Sequence, residues 1–282
     1  MDLSGGRRST NIEDRRGMRI SRGVVGGGLG TIVIVVIGLL LGVDPGALVN
    51  STGYETDTTA VQPTSPADDA AKDVVSLIVG FTEDTWTDIF REGGGTYRPP
   101  TLVLFTGAAE SACGFGQAAM GPFYCPPDEK VYLDLSFFQE LRDRFQAPGD
   151  FAQAYVIAHE VGHHVQNLLH ISEQVSAVQQ RSSQKVANQA SVRLELQADC
   201  LAGVWANRTE RSQQAQAKKF LEVGDLEEAL RAASQIGDDK LQMESRGYVV
   251  PESFTHGSAE QRMRWFKQGF QTGTVQGCNT FN

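Results

Sequence analysis

The sequence predicts an α+β fold, mainly helical with a small antiparallel sheet, preceded by one transmembrane helix. Three observations carry this. Residues 24–43 form an apolar run without a single charge. Helical spacing of apolar residues recurs through the second half of the chain, most clearly over residues 150–170, where Phe151, Ala154, Tyr155, Ala158, Val161, Val165 and Leu168 fall on one face. Short runs of β-forming residues, from Thr101 to Gly107, Phe123 to Cys125 and Lys130 to Leu135, lie just ahead of that helix.

At 282 residues, with 40% hydrophobic and 21% charged content, the chain has ample material for a globular core. A net charge of −9 offers no basic stripe to neutralise phosphates, so nucleic acid is excluded as a partner. The charge is uneven, because six arginines, Arg7, Arg8, Arg15, Arg16, Arg19 and Arg22, precede the apolar run.

Residues 1–23 are rich in Gly, Ser and Arg with no apolar period and read as an unstructured cytoplasmic tail. Residues 24–43 are long enough to cross ~30 Å of hydrocarbon as a helix. A cleaved signal peptide would want a shorter apolar core and a small-residue cleavage site, and Val43-Asp44-Pro45 does not supply one. The arginines ahead of the run place the amino terminus in the cytoplasm. The domain is then outside it, a single-pass protein of the cell membrane. Residues 44–66, with Pro45, Pro63 and Pro66 among many Thr and Ser, read as a flexible linker, and residues 67–282 as the folded domain.

Within the domain, Ala70 to Ile78 suggest one helix and Thr82 to Phe90 a second before the Gly93-Gly94-Gly95 break. Thr101 to Gly107 is a buried strand. The runs on either side of Pro126-Pro127-Asp128-Glu129 form a hairpin. The central helix opens at Asp150, three residues before Gln153, a capping-box spacing. Residues 171–190 read as either a polar helix or a crossover. Asp225 with Glu228 caps a helix that stops at Gly237, and Ser258 with Gln261 opens a last one through about Phe270.

The chemistry sits at Ala158-His159-Glu160-Val161-Gly162-His163-His164. Four residues apart on a helix, His159 and His163 project from one face and can hold a single zinc ion, Zn2+. Glu160 stands one step round, where its carboxylate reaches a water on the metal without binding the metal itself. Gly162 costs ~1 kcal/mol against Ala in mid-helix, which points to close packing beside the site. A third ligand is available in a second helical pattern from Ser191 to Gly203, where Glu195 and Asp199 share a face. Glu195 completes the metal set. Asp199, one turn on, accepts the other ring N–H of a ligating histidine. His164 points away from the shared face and reads as a core residue or as a support behind the metal ligands, while His170, near the helix end, serves the helix dipole.

Four cysteines, Cys113, Cys125, Cys200 and Cys278, make an even count, with no Cys-x-x-Cys pair to suggest a thiolate metal site. Cys113 and Cys125 flank the hairpin region and are the preferred pair, leaving Cys200 with Cys278.

His159-Glu160-x-x-His163 followed by Glu195-x-x-Ala198-Asp199 resembles the zincin superfamily in its glutamate-ligand, gluzincin-like branch. More narrowly, the chain from Arg7 to Phe281 resembles a bacterial membrane-anchored family of neutral zinc metallopeptidases. The resembling blocks are Arg8 to Gly17, Cys113 to Phe138, the two metal helices, Gly224 to Ala229, and Thr255-His256-Gly257-Ser258 with Arg262, Trp265 and Phe266. The resemblance implies a zincin-like domain that hydrolyses peptide bonds in protein or peptide substrates, with Glu160 as general base. It also implies a substrate strand pairing with the stretch 112–122 or its hairpin neighbour. His256, in a segment like the His-Pro segment of another gluzincin family with Gly257 in place of the proline, becomes a candidate catalytic donor to the oxyanion; otherwise it supports the start of the last helix. The rival is a membrane-tethered zinc protein without catalysis, a binding or regulatory module, for which Glu160 would be superfluous.

Overall fold

The computed structural model describes residues 1–17 and 65–281. In chain order these contain β1 (Ile12–Asp14), α1 (Pro66–Glu92), β2 (Thr101–Phe105), β3 (Ala108–Ser111), β4 (Gly114–Gln117), β5 (Phe123–Cys125), β6 (Lys130–Asp134), α2 (Ser136–Asp143), α3 (Asp150–Leu168), α4 (Ile171–Arg181), α5 (Gln184–Ala215), α6 (Asp225–Gln235), α7 (Asp238–Arg246) and α8 (Ala259–Thr272). The fold is mainly helical with a small sheet, as expected.

The sheet has the order β1-β2-β6-β5 and is mixed rather than antiparallel. β5 and β6 form the expected hairpin, but β2 runs parallel to β6, with Leu102 opposite Val131, and β1 runs parallel to β2. The antiparallel expectation failed because β2 and β6 are joined by a crossover through the β3–β4 hairpin and β5, which brings the chain back in its original direction. Both faces of β2 are covered. Leu102 and Leu104 enter the main core, and Val103 and Phe105 enter a smaller one with Tyr132 and Cys125. A strand buried on both faces reads as a continuous apolar run, which Thr101 to Phe105 is.

Residues 1–17, expected to be unstructured, are built into the domain. Ile12 pairs opposite Leu102 and Asp14 opposite Leu104. Ahead of β1 the chain crosses α1 at Gly80, where a β-carbon would strike the Arg7 carbonyl, and Ser9 N–H donates to the Ser76 carbonyl at 2.9 Å. Ser9 Oγ and Asn11 Nδ2 both donate to the buried Glu83 at 2.6 Å. Arg7 pairs with Glu83 at 2.6 Å, Arg8 with Asp73, and Arg16 with Asp14 at 2.7 Å. Composition concealed this because the segment docks mainly by strand pairing and charge rather than by an apolar face.

The same observation overturns the single-pass topology. One crossing between residues 24 and 43 would put residues 1–17 and the domain on opposite faces of a membrane, yet they share a sheet and a core. Among the described residues no helix is long and apolar enough to cross a membrane. The run 24–43 and most of the linker 44–66 lie outside the described residues.

One further element differs. The two helices expected between Ala70 and Phe90 are a single helix, α1, opened by a capping box between Ser65 and Asp68. Thr82, the expected start of the second, is buried in mid-helix with its hydroxyl donating to Val79 O at 2.8 Å. The open choice for residues 171–190 resolves into α4 and the first turns of α5.

The spine is α5. Gly203 on α5 faces Phe266 of α8, and Gly269 on α8 faces Cys200, so closely that a β-carbon at either glycine would overlap the opposite backbone. On another face of α5, Gly162 of α3 lies against Ala198, where an added β-carbon would sit 3.1 Å from the Ala198 carbonyl. Trp205, Phe151, Tyr155, Phe220 and Phe266 fill the angles between these helices and are fully buried, each phenylalanine stabilising the core by ~1.5–3 kcal/mol. The disulfides are Cys113–Cys125 and Cys200–Cys278, the expected pairing.

Two helix starts differ from expectation for one shared reason. α3 begins after Gly149, whose φ of 125° only glycine adopts with ease, and Asp150 is its first residue rather than its cap. The Asp150 carboxylate receives the amino group of Met1 at 2.9 Å. Glu228, expected to close a box with Asp225, instead reaches across and accepts Phe151 N–H at 3.0 Å, capping α3 from α6. The Ser258–Gln261 box at the start of α8 forms as expected.

Candidate metal centre

His159 and His163 face α5 because the helical period sets them on one stripe and the Gly162–Ala198 contact lets α5 approach that stripe closely. Opposite them stands Glu195. His159 Nε2 lies 3.2 Å from Glu195 Oε2, and His163 Nε2 lies 3.4 Å from Glu195 Oε1. One ligand atom from each of the three residues falls within 4.8 Å of the others, so the set can hold a metal ion. The donor chemistry fits zinc: two imidazoles whose outer nitrogens are occupied elsewhere, one carboxylate, and no fourth side chain in the cluster among the described residues.

Each outer nitrogen has its own partner. His159 Nδ1 is 2.9 Å from Asp199 Oδ1, one turn after Glu195 on α5. Asp199 is fully buried, and its charge is balanced by Arg262, whose Nε donates to Oδ2 at 2.8 Å and whose Nη2 donates to Oδ1 at 2.9 Å. Tyr155 Oη donates to the same Oδ1 at 2.5 Å. Burial alone would push the Asp199 carboxyl up, but Arg262 and His159 outweigh it and hold it at about 2. Burial would likewise push His159 down, yet the charge and hydrogen bond of Asp199, joined by Glu195, raise it to about 10. Raised in this way, His159 must give up a proton before it can bind a metal.

Glu160 is buried beside the histidines without joining the cluster. Burial raises its carboxyl above the ordinary range, while the histidines pull it back. Burial would push the His256 pKa down, but the hydrogen bond and charge of Asp238, joined by the charge of Glu195, raise it. Its ring is held by Asp238, with Nδ1 3.2 Å from Oδ1, and Asp238 also accepts the backbone N–H groups of Thr255, His256 and Gly257 at 2.7, 2.6 and 2.9 Å. Ser258, not His256, caps α8. His164 is fully buried between Tyr124 Oη at 3.0 Å and the Arg98 carbonyl at 2.6 Å, a core residue as expected. His170 joins α3 to α4 in the left-handed conformation, with φ 59°, and is exposed.

Tyr155, Gln166, Asp238 and Arg262 had no role assigned from sequence. Tyr155 reads as one more apolar helix position. Gln166 carried a usable signal, since it stands three residues after His163 on the same face. Arg262 falls within a block of the family resemblance, but its partner Asp199 lies 63 residues away.

Two imidazoles four apart on one helix, a glutamate beside the first, and a carboxylate from a crossing helix form the layout used by zincin metallopeptidases. The chain belongs to the family described as "putative neutral zinc metallopeptidase", whose model matches residues 1–281. It is similar to the uncharacterized protein YpfJ of Escherichia coli (strain K12), 48% identical over 292 residues, covering 100% of this chain and 99% of the relative. It is also similar to the uncharacterized protein Rv2575 of Mycobacterium tuberculosis H37Rv, 40% identical over 254 residues, covering 86% of this chain and 85% of that one. No solved structure gives a significant match.

Proposed function

We propose that the chain is a zinc-dependent peptidase that hydrolyses peptide bonds, with His159, His163 and Glu195 as metal ligands and Glu160 as general base. The observation that carries this reading is the convergence of the three ligand atoms within 4.8 Å while the buried Glu160 stays outside the set. A zinc ion held there would supply Lewis acidity toward water and the scissile carbonyl. Glu160 takes a proton from the attacking water and delivers it to the leaving amine. Burial raises its proton affinity, which suits both transfers, and the positive charge of a bound metal works the other way. Asp199 holds His159 in the tautomer that presents Nε2. His256, anchored by Asp238, donates to the developing oxyanion.

The substrate strand adds to β5, the edge of the sheet beside α3, where Tyr124 touches His164 and Asn167. The rival reading, a zinc-binding module without catalysis, gives Glu160 no work at a buried position. The experiment is Glu160→Gln. It should bind one zinc per chain as the parent does and lose peptide hydrolysis by ~10²–10⁴-fold. Equal hydrolysis by the parent and the variant would end the peptidase reading, and zinc uptake unaffected by Glu195→Ala would move the third ligand elsewhere.

A further inference from the structure

The two histidines of the candidate metal centre differ in what holds their outer nitrogens. His159 faces a charged carboxylate. His163 Nδ1 faces Gln166 Oε1 at 2.9 Å, a neutral amide. An amide can present either oxygen or NH2, so the direction of this bond depends on what holds the amide. Gln166 Nε2 donates to the Leu194 carbonyl at 2.7 Å and to Gln197 Oε1 at 3.1 Å. Gln197 Nε2 donates in turn to the Cys278 carbonyl at 3.0 Å.

Away from His163, both branches of this chain of bonds end on backbone carbonyls, which only accept. They force each NH2 toward a carbonyl, and hence each amide oxygen back along the chain toward His163. Reversing Gln166 would set its oxygen against two acceptors and its NH2 against the ring. The only consistent arrangement puts a proton on His163 Nδ1, so that Nε2 is the nitrogen left to bind a metal. Gln166 is fully buried and Gln197 is 6% exposed, so water cannot substitute readily for either. Cys278, the far anchor, is bonded to Cys200 on α5, so the segment on which the relay ends is tied to the helix that carries Glu195. The Leu194 carbonyl is the residue before Glu195, so the same amide that sets the His163 tautomer also ties α3 to the ligand-bearing turn of α5.

We propose that Gln166 is a positioning residue for His163 and Gln197 a positioning residue for Gln166, a neutral amide relay that sets the metal-binding tautomer of His163 as Asp199 does for His159. This rests on the reading of His163 as a zinc ligand. A neutral partner leaves less negative charge at this imidazole than a carboxylate would, so the relay fixes geometry rather than adding charge to the metal.

The test uses the full chain with zinc and three variants: Gln166→Met and Gln197→Met, each near the original length without the amide, and His163→Ala. Zinc dissociation constants are measured by competition with a chelator. The ring proton of His163 is followed by NMR on protein labelled with 15N at histidine. Gln166→Met should weaken zinc binding by ~10–100-fold, the range for losing the partner of a ligating histidine. It should also turn the slowly exchanging Nδ1 proton of His163 into a rapidly exchanging one, while that of His159 is unchanged. Gln197→Met should show the same changes to a smaller degree, since Leu194 still holds Gln166; this variant serves if Gln166→Met does not fold. A general loosening of the helices would speed both histidines, so equal acceleration at His159 and His163 overturns the proposal. So does zinc affinity within twofold of the parent in both glutamine variants with His163 still protected. Unchanged zinc affinity in His163→Ala overturns the functional reading and the relay with it. Loss of affinity in His163→Ala beside full affinity in both glutamine variants overturns the relay alone.

Discussion

Replacing Arg262 with Met removes a guanidinium that is 2% exposed and leaves its methylene stem in place. The parent makes two donations to Asp199, at 2.8 and 2.9 Å, one to Tyr155 Oη at 3.3 Å and one to the Ile236 carbonyl at 3.3 Å. After the change the Asp199 charge remains, fully buried, with Tyr155 and His159 as its partners. Breaking a buried pair by deleting one member costs up to ~3–5 kcal/mol where the remaining charge is left uncompensated, and His159, still 2.9 Å from Asp199, sets the loss toward the lower end of that range. Against a total of ~5–15 kcal/mol for a domain, that is a large share of the stability. The assay is urea unfolding of metal-free protein, compared through midpoints at unchanged slope. Arg262→Lys should recover only part of the loss, since an ammonium cannot make the paired donation. In an Asp199→Asn background the same arginine change should cost much less, because no buried charge is then orphaned. A loss below ~1 kcal/mol in the parent background, or an equal loss with and without the aspartate, would refute the argument.

Three other outcomes follow from the geometry. Gly269→Ala sets a methyl into the backbone of Cys200 with no side chain free to yield, so thermal unfolding should show at least the ~1–3 kcal/mol loss of an overpacked core. An unchanged melting temperature would mean α5 and α8 are not so closely seated. Arg15, with Lys130, holds the Glu13 carboxyl down at about 2 from a usual 4.5. A carboxyl lowered on folding stabilises fully above about 4.5 and loses that contribution as pH falls toward about 2, so β1 should loosen across this window. Hydrogen exchange at Ile12–Asp14, corrected for the intrinsic rate, reads this, and constant protection from pH 5 to 2 would contradict it. His256→Phe should lower kcat on a peptide substrate by ~10²–10³-fold with zinc content intact, and an unchanged kcat would remove the oxyanion role.

The features legible in the sequence are those set by spacing within one element. His159 and His163 share a face because they are four apart on a helix, and Glu195 and Asp199 for the same reason. The Ser258–Gln261 box is three residues long and forms as its spacing says. The parity of the cysteines and their places around the hairpin predicted Cys113–Cys125, and the other pair followed. What the tertiary structure alone decided are partnerships between elements. Glu228 has the spacing to close a box with Asp225, yet caps α3, because α6 packs its first turn against the start of that helix. Arg262 meets Asp199 across 63 residues because two glycines let α8 touch α5. Residues 1–17 have no apolar period, and they join the domain because β2 offered an unpaired edge and α1 a row of carboxylates. That docking also overturned a topology inferred from hydropathy and arginine placement alone. A sequence fixes local geometry through the periods of helix and strand, but a hydrogen-bond donor is satisfied by whichever acceptor packing brings to it.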